Sequence, residues 1–197
     1  MEGQGVAAHQ KKGRRLKAWI FFQDESGVSQ RPPVRCTWAP KGQTPVLVHP
    51  FNWKKLSICA ALGYHWNGKR SELYFQTRPG SYDTPTLVEF LEDFRKEIRG
   101  RRKVILIWDG LPAHKSWQMQ EYIREQSGWL HVERLPGYAP DLNPVEALWG
   151  NVKGGELANR CVDGLDEMKR AVRSGLRRVG RSPSLALSFL EHAGLSF

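Results

Sequence analysis

Three carboxylates stand where chain segments change character. Asp24 follows the apolar, aromatic run Ala18-Trp19-Ile20-Phe21-Phe22-Gln23. Asp109 follows Val104-Ile105-Leu106-Ile107-Trp108, the most strand-like stretch in the chain. Glu146 falls in the first turn of a helix that Asn143 can cap and Pro144 can open, since the missing N–H of proline costs nothing at the first helical position. Brought together without a counter-ion, three carboxylates repel and raise one another's pKa, so such a set makes sense around a divalent cation. Oxygen donors with no clustered Cys or His favour magnesium or manganese over zinc. Two such ions roughly 3.5–4 Å apart can activate a nucleophile and stabilise a leaving oxygen in phosphoryl transfer. Each acid also has a plainer reading. Glu146 can fold back on Asn143 as a capping box. Asp109 can form a turn with Gly110. Asp24 competes with Glu25, which strand alternation turns the other way. Asp141 reads as a loop acid that supports its turn.

The elements that must position these groups follow from hydrophobic period. Ala18–Gln23 reads as a buried strand that stops at Asp24. Arg35-Cys36-Thr37-Trp38 is a candidate short strand. Lys55–Tyr64 and Glu72–Thr77 alternate as strands around Gly68, which predicts a hairpin. Asp83 or Thr84 can cap a helix carrying Leu87, Phe90, Leu91, Phe94 and Ile98 at helical spacing, with Arg99, Arg101, Arg102 and Lys103 near its C-terminal end. The strand Val104–Trp108 is apolar throughout, as for a strand covered on both faces. A helix over about 115–127, a short strand at 130–135, and the stiff loop Leu135–Asn143, with Pro136 and Pro140, lead into the helix that bears Glu146. Helices over 163–178 and 184–192 complete the chain. The first of these carries Lys169, Arg170, Arg173, Arg177 and Arg178 on its polar face. The whole predicts an α/β fold with one mixed sheet, a three-strand meander followed by alternating helix and strand, with helices packed on it.

Composition narrows the partners. The 197 residues suit one domain with small appendages, and 40% hydrophobic content with 8 Trp and 8 Phe supplies a core. Thirty Lys and Arg against twenty acids give a net charge of +10 and a pI of about 9.8, which points to a polyanionic partner such as nucleic acid. Cys36, Cys59 and Cys161 are odd in number and widely spaced, so neither a zinc knuckle nor a disulfide framework is indicated; reduced, mostly buried thiols are expected. Neither a signal-peptide pattern nor an apolar run of membrane-spanning length is present, which predicts a cytoplasmic protein with no membrane partner. Residues 1–17 read as a flexible basic arm or severed linker, 18–160 as the main domain, and 161–197 as a C-terminal helical extension.

Four motifs carry a resemblance. Phe22-Gln23-Asp24-Glu25-Ser26, Trp38-Ala39-Pro40-Lys41-Gly42-Gln43-Thr44-Pro45, Ile107-Trp108-Asp109-Gly110 through His114-Lys115-Ser116, and Leu135 to Trp149 with its Pro-Asp-Leu-Asn-Pro-Val-Glu core are similar to the signature blocks of DDE transposases. The chain resembles the catalytic domain of the mariner-like superfamily, in the bacterial insertion-sequence branch (the IS six-thirty group). The 37 positions between Asp109 and Glu146 (146 − 109) suit that family. Gly110 departs from it, since Asn often follows the second aspartate there.

The resemblance implies a ribonuclease H-like fold with helices on both faces and C-terminal helices. It selects Asp24 over Glu25, and it implies that Asp24, Asp109 and Glu146 are catalytic and hold two Mg²⁺ ions, with Mn²⁺ as a substitute. The implied activity is phosphodiester hydrolysis at transposon ends, which frees a 3′-hydroxyl. Strand transfer of that hydroxyl into target DNA follows, usually at a TA dinucleotide. The implied partners are double-stranded DNA (terminal repeats and target) and a second copy of the chain. A separate upstream helix-turn-helix polypeptide is a further expected partner, because the family's recognition modules do not lie within this sequence. The expected location is the nucleoid. Arg35, Lys41, His114 and Lys153 are candidate DNA contacts, each with a bland reading as a solvated or structural side chain. An alternative is a catalytically idle, DNA-binding transposase remnant that acts as a regulator.

Overall fold

The computed structural model describes residues 15–48, 54–98, 103–136 and 140–196. The start of the expected basic arm, Arg99, Arg101 and Arg102, and the loop at 137–139 lie outside the described residues.

Strand β1 (Trp19–Ser29) pairs antiparallel with β2 (Lys55–Tyr64), which pairs antiparallel with β3 (Ser71–Pro79). Gly68, at φ +70°, makes the β2–β3 hairpin turn. On its other side β1 pairs in parallel with β4 (Val104–Trp108), and β4 in parallel with β5 (Leu130–Arg134). The sheet order is β3-β2-β1-β4-β5. Central β4 is buried at all five residues, as its uninterrupted apolar sequence requires.

Alternation sorts β1 onto two cores. Ile20 and Phe22 face a cluster with Ile105, Ile107, Leu148, Trp149, Val172 and Leu190. Trp19 and Phe21 face a second cluster with Leu106, Trp108, Phe90, Phe94 and Met119. The first face is covered by α4 (Pro144–Gly155), α5 (Leu165–Gly180) and α6 (Pro183–His192). The second is covered by α1 (Thr84–Glu97) and α3 (Trp117–Glu125), with the short turn α2 (Pro112–Lys115) leading into α3. Helices therefore lie on both faces. Phe21 packs where a side chain at its cross-strand partner Gly63 would stand, since a Cβ there would come within 2.2 Å of the ring. Asp83 caps α1 in a capping box with Thr86. Among the described residues, no helix is long and apolar enough to cross a membrane.

Four expectations change. First, β1 does not stop at Asp24 but runs on to Ser29. Polar side chains do not end a strand whose β2 partner continues, and the pairing extends to Ser29↔Lys55. Second, Arg35–Trp38 forms no strand: the Arg35 N–H and C=O are both taken by the Asn159 side-chain amide (2.9 and 2.8 Å), and Trp38 is 97% exposed. Third, the helix expected over 115–127 is broken at Ser116 (ψ 151°), whose hydroxyl caps α3 by accepting from Met119 N–H. Fourth, the thiols are not mostly buried: Cys59 is, Cys161 is half-buried and Cys36 is exposed.

Candidate active site

Register sets the first two acids at the same end of neighbouring strands. The last parallel pair of β1 and β4 is Phe22↔Ile107, and Asp24 and Asp109 each follow by two residues. Asp24 therefore lies where β4 gives out and β1 loses its neighbour on that side. An open crevice at the carboxyl end of a parallel strand is where α/β sheets place ligands. Parity with Ile20 and Phe22 turns Asp24 toward α4.

Helix α4 supplies the third acid. Asn143 caps it, its Oδ1 accepting from Val145 N–H at 3.2 Å. Glu146 does not return to the cap: no capping box forms, and its side chain is exposed. One turn on, Trp149 is buried, and its Nε1–H donates to Asp24 Oδ2 at 2.8 Å. Burial raises the Asp24 carboxyl from an ordinary 3.8 to about 7; the Trp149 bond opposes this, and the charges of Glu25 and Glu146 add to it. Lys153, a further turn on, donates to Ser26 Oγ at 2.7 Å. Its ammonium is thus held against β1 two residues from Asp24.

Asp109 is held differently. Its Oδ1 accepts from Leu111 N–H (3.0 Å) and from His114 Nδ1 (2.8 Å). Partial burial works to raise this carboxyl, but the His114 and Leu111 bonds together outweigh it and hold the pKa below its ordinary value. A Cβ at Gly110 would lie 3.0 Å from Lys115 Nζ, so the lysine fills the space where the family often has an asparagine side chain.

The second face of β1 carries a separate network. Glu25 Oε1 accepts from Gln23 Nε2 at 2.7 Å and faces His114 Nε2 at 3.3 Å. His114 is fully buried and stacked on Trp108, with ring centroids 4.2 Å apart and planes 4° apart. Burial would lower its pKa, but the bonds to Asp109 and Glu25 raise it to about 9. This corrects the expectation of a DNA contact at His114, because an imidazole enclosed on every side cannot meet a phosphate. Arg35 lies exposed beside Gly154, and Lys41 is exposed in the turn closed by Gln43 N–H and Pro40 C=O.

Sequence reasoning missed two contacts. The Trp149–Asp24 bond had a signal, since Trp149 stands three residues after Glu146 and so on its helical face. The Glu25–His114 contact, 89 residues apart in sequence, had none.

In this geometry no three His, Cys, Asp or Glu side chains among the described residues converge as a metal cage. The donor set nonetheless fits a hard divalent cation. Asp24 is a largely buried carboxyl beside two other acids, with one hydrogen-bond donor on its Oδ2, and both His114 nitrogens are committed elsewhere.

Residues 19–169 match the family described as DDE superfamily endonuclease. The chain belongs to this family. The 39 kDa protein of insertion element IS630 from Shigella sonnei is 24% identical over 164 residues, covering 83% of this chain and 46% of that protein. The DDE chain thus spans about half the length of the curated relative it matches. Among solved structures, the mariner Mos1 paired-end complex with Mg superposes with a TM-score of 0.66 at 16% identity, covering 95% of this chain and 58% of that one. The isolated Mos1 mariner catalytic domain superposes at 0.53 and 18% identity, covering 97% and 92%. These likenesses establish the ribonuclease H-like fold, and the mariner and IS630 resemblance holds with them.

Proposed function

We propose that this chain is the catalytic domain of a transposase that cuts DNA at the ends of an insertion element and joins the freed ends to target DNA. The observation that carries the reading is the Asp24 carboxyl, raised by burial and by two neighbouring acids at the open end of the β1–β4 pair, in a chain of the DDE family.

Asp24, Asp109 and Glu146 would hold two divalent ions, Mg²⁺ with Mn²⁺ as a substitute. Bound there, the ions supply charge neutralisation at the scissile phosphate and a deprotonated nucleophile. The chain's own residues set the geometry. Trp149 fixes Oδ2 of Asp24. His114 and the Leu111 N–H fix Oδ1 of Asp109. Glu146, free of its cap, approaches from the first turn of α4. Lys153, Arg35 and Lys41 supply positive charge for DNA phosphates. The partner is duplex DNA carrying the element's terminal repeats, bridged by two copies of the chain, in the nucleoid.

The test is a nicking and strand-transfer assay on DNA bearing the element's own ends, with and without an upstream helix-turn-helix polypeptide. Magnesium-dependent products that vanish in Asp109→Asn are expected. DNA binding without metal-dependent cleavage in either condition would overturn the reading in favour of an idle regulator.

A further inference from the structure

The polar face of α5 is not absorbed by this chemistry. Met168, Ala171, Val172, Gly175, Leu176 and Val179 turn one side of the helix into the core. The other side carries Arg170, Arg173, Arg177 and Arg181 at steps of three and four residues, so the four guanidinium groups form one stripe. With Ser174 and Arg178 they line a groove of about 420 Å³.

The stripe is anchored but not neutralised. Arg178 is tied to Glu156 (2.8 Å) and to Asn151 (2.7 Å) on α4, and the Glu156 carboxylate lies where a Cβ at Gly175 would stand, 2.5 Å away. Arg173 lies over the Phe75 ring, 5.6 Å from its centroid. The nearby acid Glu167 is engaged by Arg160 and by the Asp163 N–H. Arg170, Arg177 and Arg181 are exposed and form no ion pair among the described residues.

We infer that this arginine groove is a docking surface for the sugar–phosphate backbone of duplex DNA beyond the cleavage site. The inference rests on the proposed function and extends it to a second contact. The eleven steps from Arg170 to Arg181 span roughly 16 Å, which is about five base-pair steps at 3.4 Å each. The groove has no exposed aromatic side chain on which unpaired bases could stack, since the Phe75 ring is covered by Arg173. It has no apolar lining that could enter a bilayer. The charge also continues toward the acids. Arg178 lies by Gly155, Arg35 by Gly154, and Lys153 reaches Ser26, two residues from Asp24. A duplex held at Glu146 and running along α4 meets the groove about 14 Å away, roughly four base pairs on.

The experiment uses the chain carrying Glu146→Gln in EDTA, so that cleavage plays no part and its outcome is separable from the nicking assay. Binding to a duplex of arbitrary sequence several helical turns long is measured across a salt series. Arg170→Gln, Arg177→Gln and Arg181→Gln combined are expected to weaken binding roughly tenfold or more and to reduce the salt slope by about 2 to 3. Arg95→Gln, Lys96→Gln and Arg124→Gln combined remove the same charge elsewhere and are expected to leave the slope unchanged. Should the triple variant fail to fold, Arg177→Gln alone is expected to reduce the slope by about 0.9. Equal losses in both triples would reduce the groove to bulk charge and overturn the inference. So would an unchanged slope, or a loss seen on anionic phosphatidylserine vesicles but not on the duplex.

Discussion

Asp24 and Glu25 are neighbours in sequence on opposite faces of one strand, and their surroundings differ in kind. Glu25 is tied at one oxygen: Gln23 donates to Oε1, His114 meets the same oxygen and passes the connection on to Asp109, and Oε2 is buried without a partner. Asp24 has the Trp149 indole N–H on Oδ2 and a backbone hydrogen bond from Glu25, and burial with two nearby acids still raises the carboxyl to about 7. Hydrogen-bond donors can stabilise a buried carboxylate internally. Where they are few, the missing stabilisation must come from a proton or a cation. In the proposed site Asp24 is the acid suited to a metal, and Glu25, through His114, supports Asp109.

The largest expected effect separates these roles. Asp24→Asn should abolish magnesium-dependent cleavage. Glu25→Gln keeps an acceptor toward His114 and should cost only the roughly 10–100-fold typical of a group that acts through a ligand. Cleavage rates of the two variants, measured with saturating metal, check this. Equal loss in both would dissolve the distinction between the faces.

A second prediction concerns stability. Asp24 has a folded pKa of about 7 against an unfolded value near 3.8, so the folded state holds a proton that the unfolded chain has lost. The stability this provides is complete below about pH 4 and is lost as pH rises through about 7. Asp24→Asn should therefore be more stable than the parent at pH 8, by on the order of 2–4 kcal/mol, with little difference at pH 4. Millimolar Mg²⁺ should narrow the gap at pH 8 by stabilising only the parent. Denaturant titration at both pH values provides the check.

His114 runs the other way and sharpens the contrast. Its folded pKa of about 9 exceeds the ordinary 6.5, so its contribution is full below about pH 6.5 and lost as pH rises through about 9. His114→Asn, which keeps a donor near the Nδ1 position, should lose stability at pH 6 and much less at pH 10. A loss independent of pH would mean that stacking on Trp108, rather than the bonds to Asp109 and Glu25, accounts for the burial.

How legible this was depended on whether a contact was local. The apolar run at 104–108 announced an interior strand, because it is too short for a buried helix and rich in β-branched residues. Asn143-Pro144 announced the start of α4 for reasons internal to the segment. Strand alternation stated that Asp24 and Glu25 point apart but not which way, because that depends on which face α4 covers, a tertiary fact. The end of β1 is not legible in its polar residues, because the β2 partner decides its length. Asn159, whose amide occupies the Arg35 backbone, is 124 residues away, and no local pattern could signal it.

The smallest expected effect probes the one donor that Asp24 has on Oδ2. Trp149→Phe keeps most of the buried ring and removes only the N–H. A hydrogen bond to a charged acceptor is worth about 1.5–3 kcal/mol, so its loss should raise the Asp24 pKa by about 1–2 pH units. Metal must displace the proton from this carboxyl, so the acid limb of Mg²⁺ affinity should move to higher pH by the same amount. At pH 9, where the parent carboxyl is already ionised, the variant should bind metal almost as the parent does. The shift is diagnostic because a general loosening of α4 would weaken binding at every pH. An acid limb that stays in place would mean that the indole positions the carboxylate without stabilising its charge, and Asp24 would then owe its pKa to burial and its acidic neighbours alone.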